Sequence, residues 1–122
     1  MSIELAVEVA NKVLNLAKYN NISLNCVRLN RILFDANCRY VQATGTLLFK
    51  EKNLSGMDYP QYKSVINCYG QFTEKYITGF SLPKETYTFL QLYALRKSLG
   101  LTPNPLDAIA NGVVNKESTR YL

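Results

Sequence analysis

Apolar residues recur every three or four positions through most of this chain, the spacing that places them on one side of a helix. From residue 2 to about 19, Ile3, Ala6, Ala10, Val13 and Ala17 form such a stripe, and Leu5, Val9 and Leu16 widen it. Ser2 stands at the N-cap position. Glu8 and Lys12 are spaced to pair across one turn on the wet side. Asn20-Asn21 follows as a turn, because Asn tolerates the left-handed conformation that closes a helix.

The segment from about 23 to 43 predicts a second helix, apolar on two sides. Leu29, Ile32, Leu33, Ala36, Tyr40 and Ala43 share one side; Val27, Phe34, Cys38 and Val41 lie nearly opposite. Two apolar faces predict burial on both, so this helix is expected to be the centre around which the core assembles. Two polar seams separate the faces. One holds Arg28, Arg31, Asp35, Arg39 and Gln42, the other Asn30, Asn37 and Thr44.

Beyond Gly45 the helical period stops. Thr46-Leu47-Leu48-Phe49 reads either as a strand or as an extended core segment, and Tyr76-Ile77-Thr78-Gly79-Phe80 as a second strand, so residues 46–49 and 76–80 would make a small two-stranded ribbon. Between them Pro60 opens a third helix that runs to Gly70 with Tyr62, Val65, Ile66 and Tyr69 at helical spacing. Ser81 to Leu99 reads as a fourth, capped by Ser81, with Pro83 in its first turn, Arg96 and Lys97 in its last, and an inner stripe of Phe89, Leu90, Tyr93 and Ala94. Asn104-Pro105-Leu106-Asp107 predicts a short fifth helix to Asn111; residues 113–122 are weakly patterned and read as a loosely ordered tail. The expected fold is thus mainly α, a bundle of about five helices around a central buried one.

Composition narrows this picture. The 122 residues fit a single domain, 1–122, and 48% of them are hydrophobic, enough for one core. The net charge of +5 is spread evenly: seven bases against five acids in residues 1–61, and seven against four in the rest. Neither half is a basic tail. The longest uncharged stretches, such as Tyr40–Phe49 and Thr86–Leu95, hold ten residues, too few to span a bilayer. Glu4 places acid where a secretory signal carries base. The three cysteines, Cys26, Cys38 and Cys68, are odd in number and lack CxxC spacing, so they read as buried thiols in a reducing cytoplasm rather than as a disulfide framework.

Candidate chemistry is sparse. Without histidine the chain lacks the commonest general base and metal ligand. The nine carboxylates show no paired spacing and no phosphate-cradling glycine motif is present, so the chain is expected to be non-enzymatic, with no metal and no cofactor. Two features remain. Arg31 and Arg39 lie four residues either side of Asp35, with Arg28 one turn back, and three arginines against one acid leave a cationic surplus suited to an acidic protein surface or to phosphates. The ordinary alternative is an ion network that only fixes the helix. Nine tyrosines are many, and Tyr59, Tyr62, Tyr69 and Tyr76 crowd one region, as at a core edge or an interaction surface. The candidate partner-binding residues are therefore Arg28, Arg31, Arg39, Tyr59 and Tyr62.

Ala10, Val13 and Ala17, then Arg28-Leu29-Asn30-Arg31-Ile32-Leu33-Phe34-Asp35-Ala36, then Gly45-Thr46-Leu47-Leu48-Phe49 form an ordered set that resembles the Panacea family, phage-associated domains that include the SocA-like antitoxins. Leu29, Leu33 and Phe34 fit its Leu-x-Lys-Leu-Leu-Tyr-like helix, and Gly45 with Leu48-Phe49 its Gly-x-x-Leu-Phe segment. Gly56-Met57-Asp58-Tyr59-Pro60 keeps the proline of its aromatic-Gly-Pro element but not the adjacent Gly-Pro pair. The resemblance spans about residues 3–72. It implies a helical domain of phage or mobile-element origin that neutralises a toxin by direct protein contact, without a cofactor. The rival readings are a small basic nucleic-acid-binding regulator, which the +5 charge favours, and a phage structural or assembly protein; the two-sided apolar second helix speaks against a helix-turn-helix reader.

Overall fold

A computed structural model describes residues 2–101. Four helices occur in this span: α1 (Ala6–Tyr19), α2 (Cys26–Thr44), α3 (Lys63–Tyr69) and α4 (Phe89–Ser98). The protein is mainly helical, as the periodicity predicts. The fifth helix expected over 104–111 and the tail at 113–122 lie outside the described residues.

The first helix begins three residues later than a cap at Ser2 would start it, with Leu5 at the N-cap. Residues 3–4 instead run extended beside 48–51: Ile3 N–H donates to Leu48 O at 3.2 Å, Lys50 N–H to Ile3 O at 2.8 Å and Glu51 N–H to Glu4 O at 3.0 Å. This parallel pairing corrects the expected ribbon, since residues 46–49 meet the N-terminal segment and not 76–80. Residues 76–80 lie elsewhere, with Ile77 N–H donating to Leu24 O at 2.8 Å. No strand forms among the described residues. Asn21 closes α1 in the left-handed region, at φ 56°, as its side chain permits.

Helix α2 packs against α1 and α3 and most extensively against α4. Its N-terminus is capped by Asn25, whose side chain accepts from Arg28 N–H at 2.9 Å, and it ends at Gly45 in the left-handed conformation, φ 77°. Leu29, Ile32, Leu33 and Ala36 are buried against Val9, Ala10, Val13, Val65 and Leu95 in one continuous core. The opposite apolar side departs from expectation: Val27 and Phe34 are half-buried, while Cys38 and Val41 are exposed. The second apolar side of α2 is covered in part, at Val27 and Phe34, and open at Cys38 and Val41.

Helix α4 is also shorter than its expected span of 81–99. Thr88 caps it, accepting from Gln91 N–H at 3.1 Å, while the Gln91 side chain accepts from Thr88 N–H at 2.8 Å. This reciprocal box satisfies two otherwise orphaned donors and starts the helix where Ser81 and Pro83 do not. The inward stripe accordingly shifts to Gln91, Ala94 and Leu95, leaving Phe89 51% exposed. The expected Glu8–Lys12 pair does not form either. Lys12 sits over the Tyr87 ring at 5.9 Å, and the Tyr87 hydroxyl donates to Glu8 O at 3.0 Å.

Side-chain clasps tie the elements together. Asn30, placed by its spacing in a polar seam, is fully buried: its Oδ1 accepts from Tyr62 N–H at 3.0 Å and its Nδ2 donates to Cys26 O at 2.9 Å. Asn37 Oδ1 accepts from Leu48 N–H at 2.8 Å. The Tyr69 hydroxyl donates to Asn11 Oδ1, joining α3 to α1. Each buried amide is matched to a partner, as burial demands.

Candidate functional site

The uncovered side of α2 gathers most of the candidate residues. Arg28, Arg31 and Arg39 are all exposed along it. Arg39 Nε donates to Asp35 Oδ2 at 2.7 Å, and Ser98 Oγ of α4 donates to the same oxygen at 2.8 Å. Partial burial works to raise the Asp35 carboxyl, but the hydrogen bonds from Arg39 and Ser98 and the Arg39 charge outweigh it, and the group is held below the usual carboxylate range. One acid thus neutralises one arginine. Arg28 and Arg31 form no ion pair among the described residues.

Tyr59 joins this seam from the loop before α3. The Arg31 guanidinium lies over its ring, 5.5 Å from the centroid. Such a contact does not consume the N–H donors of the guanidinium, which stay available to another partner. A shallow depression of about 400 Å³ runs between α2 and this loop, lined by Arg31, Phe34, Asp35, Cys38, Asp58, Tyr59 and Pro60. Phe34 and Cys38 also border a second depression, whose lining includes Leu47, Lys50, Glu51, Lys52 and Tyr62. Leu47 is 45% exposed, so apolar surface continues across the ridge.

Tyr62 contributes little to this surface, although it lines the second depression. It is only 3% exposed, packed edge-on against Phe49 with ring centroids 5.0 Å apart, and burial pushes its hydroxyl well above the ordinary phenol value. A residue so enclosed belongs to the core and offers a partner little surface. The reason is visible in the local geometry: the Asn30 side chain holds the Tyr62 backbone at the start of α3 and turns the ring inward onto Phe49.

Chemically, the arrangement is suited to recognition. It offers unneutralised guanidinium groups next to an apolar ridge, the combination found at the centres of protein interfaces. Among the described residues no group of three or more Cys, Asp or Glu side chains comes together as a metal-ligand set. No helix among them is long and apolar enough to cross a membrane. The cysteines differ from their expected common burial: Cys26 is buried, Cys38 and Cys68 are exposed.

Periodicity made the second apolar side of α2 visible, but its exposure was missed, since spacing alone does not say which of two apolar sides a neighbour covers. No protein-family model, curated protein or solved structure matches this chain.

Proposed function

We propose that this chain is a non-enzymatic protein-interaction module that captures an acidic partner protein on the open side of α2, in the manner of an antitoxin that neutralises a toxin by direct contact. One observation carries the reading. The helix that organises the core leaves partly uncovered a side on which Arg31 stands beside Phe34 and Cys38, with Arg28 and Val41 also exposed on the helix and the Arg31 guanidinium over the Tyr59 ring. Arginine and aromatic anchors beside apolar surface are the composition of interface hot spots, whereas a merely solvated helix face is dominated by Lys and Glu. The resemblance over residues 3–72 supports the choice of a toxin as partner and a phage or mobile element as source, with the cytoplasm as the place of action. The contact residues are Arg28, Arg31, Arg39 and Tyr59.

The test is affinity capture by the full chain from nuclease-treated lysate of the cells that encode it, alongside Arg31→Glu and Arg28→Glu variants. The expected result is one protein recovered in near-equal amount with the wild type and lost with both variants, which then binds the purified chain directly. Capture that is indifferent to the charge reversals overturns the assigned face. Recovery of nuclease-sensitive material alone favours the nucleic-acid reading, whose signature is binding that weakens steeply with salt.

A further inference from the structure

Beside this seam, on the α4 flank of α2, lies a second groove. It has a volume of about 290 Å³; its walls are Tyr40 and Ala43 of α2 and Leu90 and Tyr93 of α4. Among the described residues, the two charged side chains lining it, Arg39 and Lys97, are both cations. Arg39 is already paired with Asp35 through Nε, so Lys97 supplies the net positive charge of the groove, while the terminal amino groups of the Arg39 guanidinium remain as hydrogen-bond donors.

We infer that this groove anchors an acidic amphipathic helix of the partner, its apolar face laid between α2 and α4 and its carboxylates meeting Arg39 and Lys97. The inference rests on the docking reading of α2 and extends it by naming the chemistry of the bound element. Two arguments select the occupant. The volume falls at the lower limit of small-molecule pockets, roughly 300–1,000 Å³, and the groove is open to solvent, so it accepts side chains of a rod lying across it better than an enclosed ligand. Cations flanking an apolar strip match a helix with apolar anchors at i, i+3 and i+4 and acidic flanks, the helix-in-groove mode of recognition. Charge complementarity of this kind sets orientation and encounter rate as well as affinity.

The experiment is an amide-resolved NMR titration of the full chain with a synthetic helical peptide of about 15 residues, long enough to hold helical structure, carrying Leu on one face and Glu on the other, and with its Lys counterpart. The expected result is saturable shifts at Arg39, Ala43, Leu90 and Lys97 with the Glu peptide, and affinity about tenfold weaker for the Lys peptide. Ala43→Glu, at an exposed helical position, should weaken the Glu peptide by about tenfold or more without unfolding the chain. Absence of shifts at these residues, equal binding of both peptides, or self-association that buries the groove overturns the inference. Arg31→Glu separates the two readings. Binding lost with Ala43→Glu but kept with Arg31→Glu places the peptide in the groove; the reverse places it on the seam and overturns the inference, while partner capture by the Arg28→Glu and Arg31→Glu variants tests the seam itself.

Discussion

The carboxylate of Glu51 joins the starts of two helices, and Ser64 is its partner at both. Its Oε1 accepts from Ala6 N–H at 2.9 Å, at the start of α1, and its Oε2 accepts from Ser64 N–H at 3.1 Å, at the start of α3. The Ser64 hydroxyl donates to the same carboxylate and accepts from Val7 N–H at 3.0 Å. Neither helix has a side-chain cap of its own, since Leu5 and Tyr62 occupy the N-cap positions. One anion therefore serves the positive ends of two helix dipoles and satisfies donors that would otherwise be orphaned. Glu51→Ala is expected to destabilise the fold by about 2–4 kcal/mol, from the loss of two caps. Glu51→Gln should fall between, because an amide keeps one accepting oxygen and turns an N–H toward a donor. Chemical denaturation of the three proteins checks the order, and a Glu51→Ala variant as stable as wild type would refute it.

Asn30 holds the second interior clasp. Replacing it with Leu keeps the volume but leaves the Tyr62 N–H without its acceptor inside the core. The expected cost is about 2–3 kcal/mol, the penalty for stranding a buried donor plus the lost bond to Cys26 O. Thermal unfolding measures this. A loss no larger than that of an exposed substitution such as Asn53→Leu would mean the start of α3 is held by other contacts.

These two residues also mark where the sequence is silent. The stripe of α1, the left-handed Asn21 and the Leu29–Leu33 side of α2 are legible because each depends on neighbours within one or two turns. Glu51 reaches back 45 residues to Ala6, and Asn30 reaches forward 32 to Tyr62. Periodicity carries no signal for a pairing of that separation, so nothing in the spacing singles out Glu51, and Asn30 reads only as part of a polar seam. The same holds for residues 46–49, whose apolar run is plain but whose partner, Ile3, is chosen by the tertiary fold. The start of α4 differs, because Thr88-x-x-Gln91 is itself a capping-box pattern, and Ser81-x-Pro83 offers a competing start. For the candidate site, the arginine seam was legible residue by residue; the inward turn of Tyr62 and the openness of the Phe34–Cys38 ridge were not.

Burial of several acids sets an alkaline limit to stability. Burial raises the Cys26 thiol above its ordinary 9.0 and the Tyr62, Tyr69 and Tyr87 hydroxyls above 10.0. The folded chain then keeps protons that the unfolded chain releases, so it is the native state that binds more protons in this window, and stability falls as pH rises. Their contribution is fully present below the ordinary values and is lost progressively above about pH 9. Melting temperatures measured from about pH 7 to pH 11 should show this decline. Tyr62→Phe is the discriminating variant, since the Tyr62 hydroxyl makes no hydrogen bond among the described residues. It should match wild type at neutral pH and decline less steeply at high pH; an unchanged slope would remove Tyr62 from the account.

Thiol reactivity offers a direct footprint of the proposed face. Cys38 lies exposed on the ridge of α2, Cys68 is exposed on α3, and Cys26 is buried with Asn30 Nδ2 against its sulfur at 3.4 Å. A disulfide reagent should therefore modify two thiols promptly in the native state and the third only as the chain unfolds, because Cys26 lacks access and burial suppresses its thiolate. Three fast thiols would contradict the placement of Cys26. Bound partner should then slow the reaction of Cys38 while leaving Cys68 unchanged, so that Cys68 acts as an internal reference in the same tube. Equal slowing of both would indicate a contact spread beyond α2, and protection of Cys68 alone would move the docking face to the α3 side.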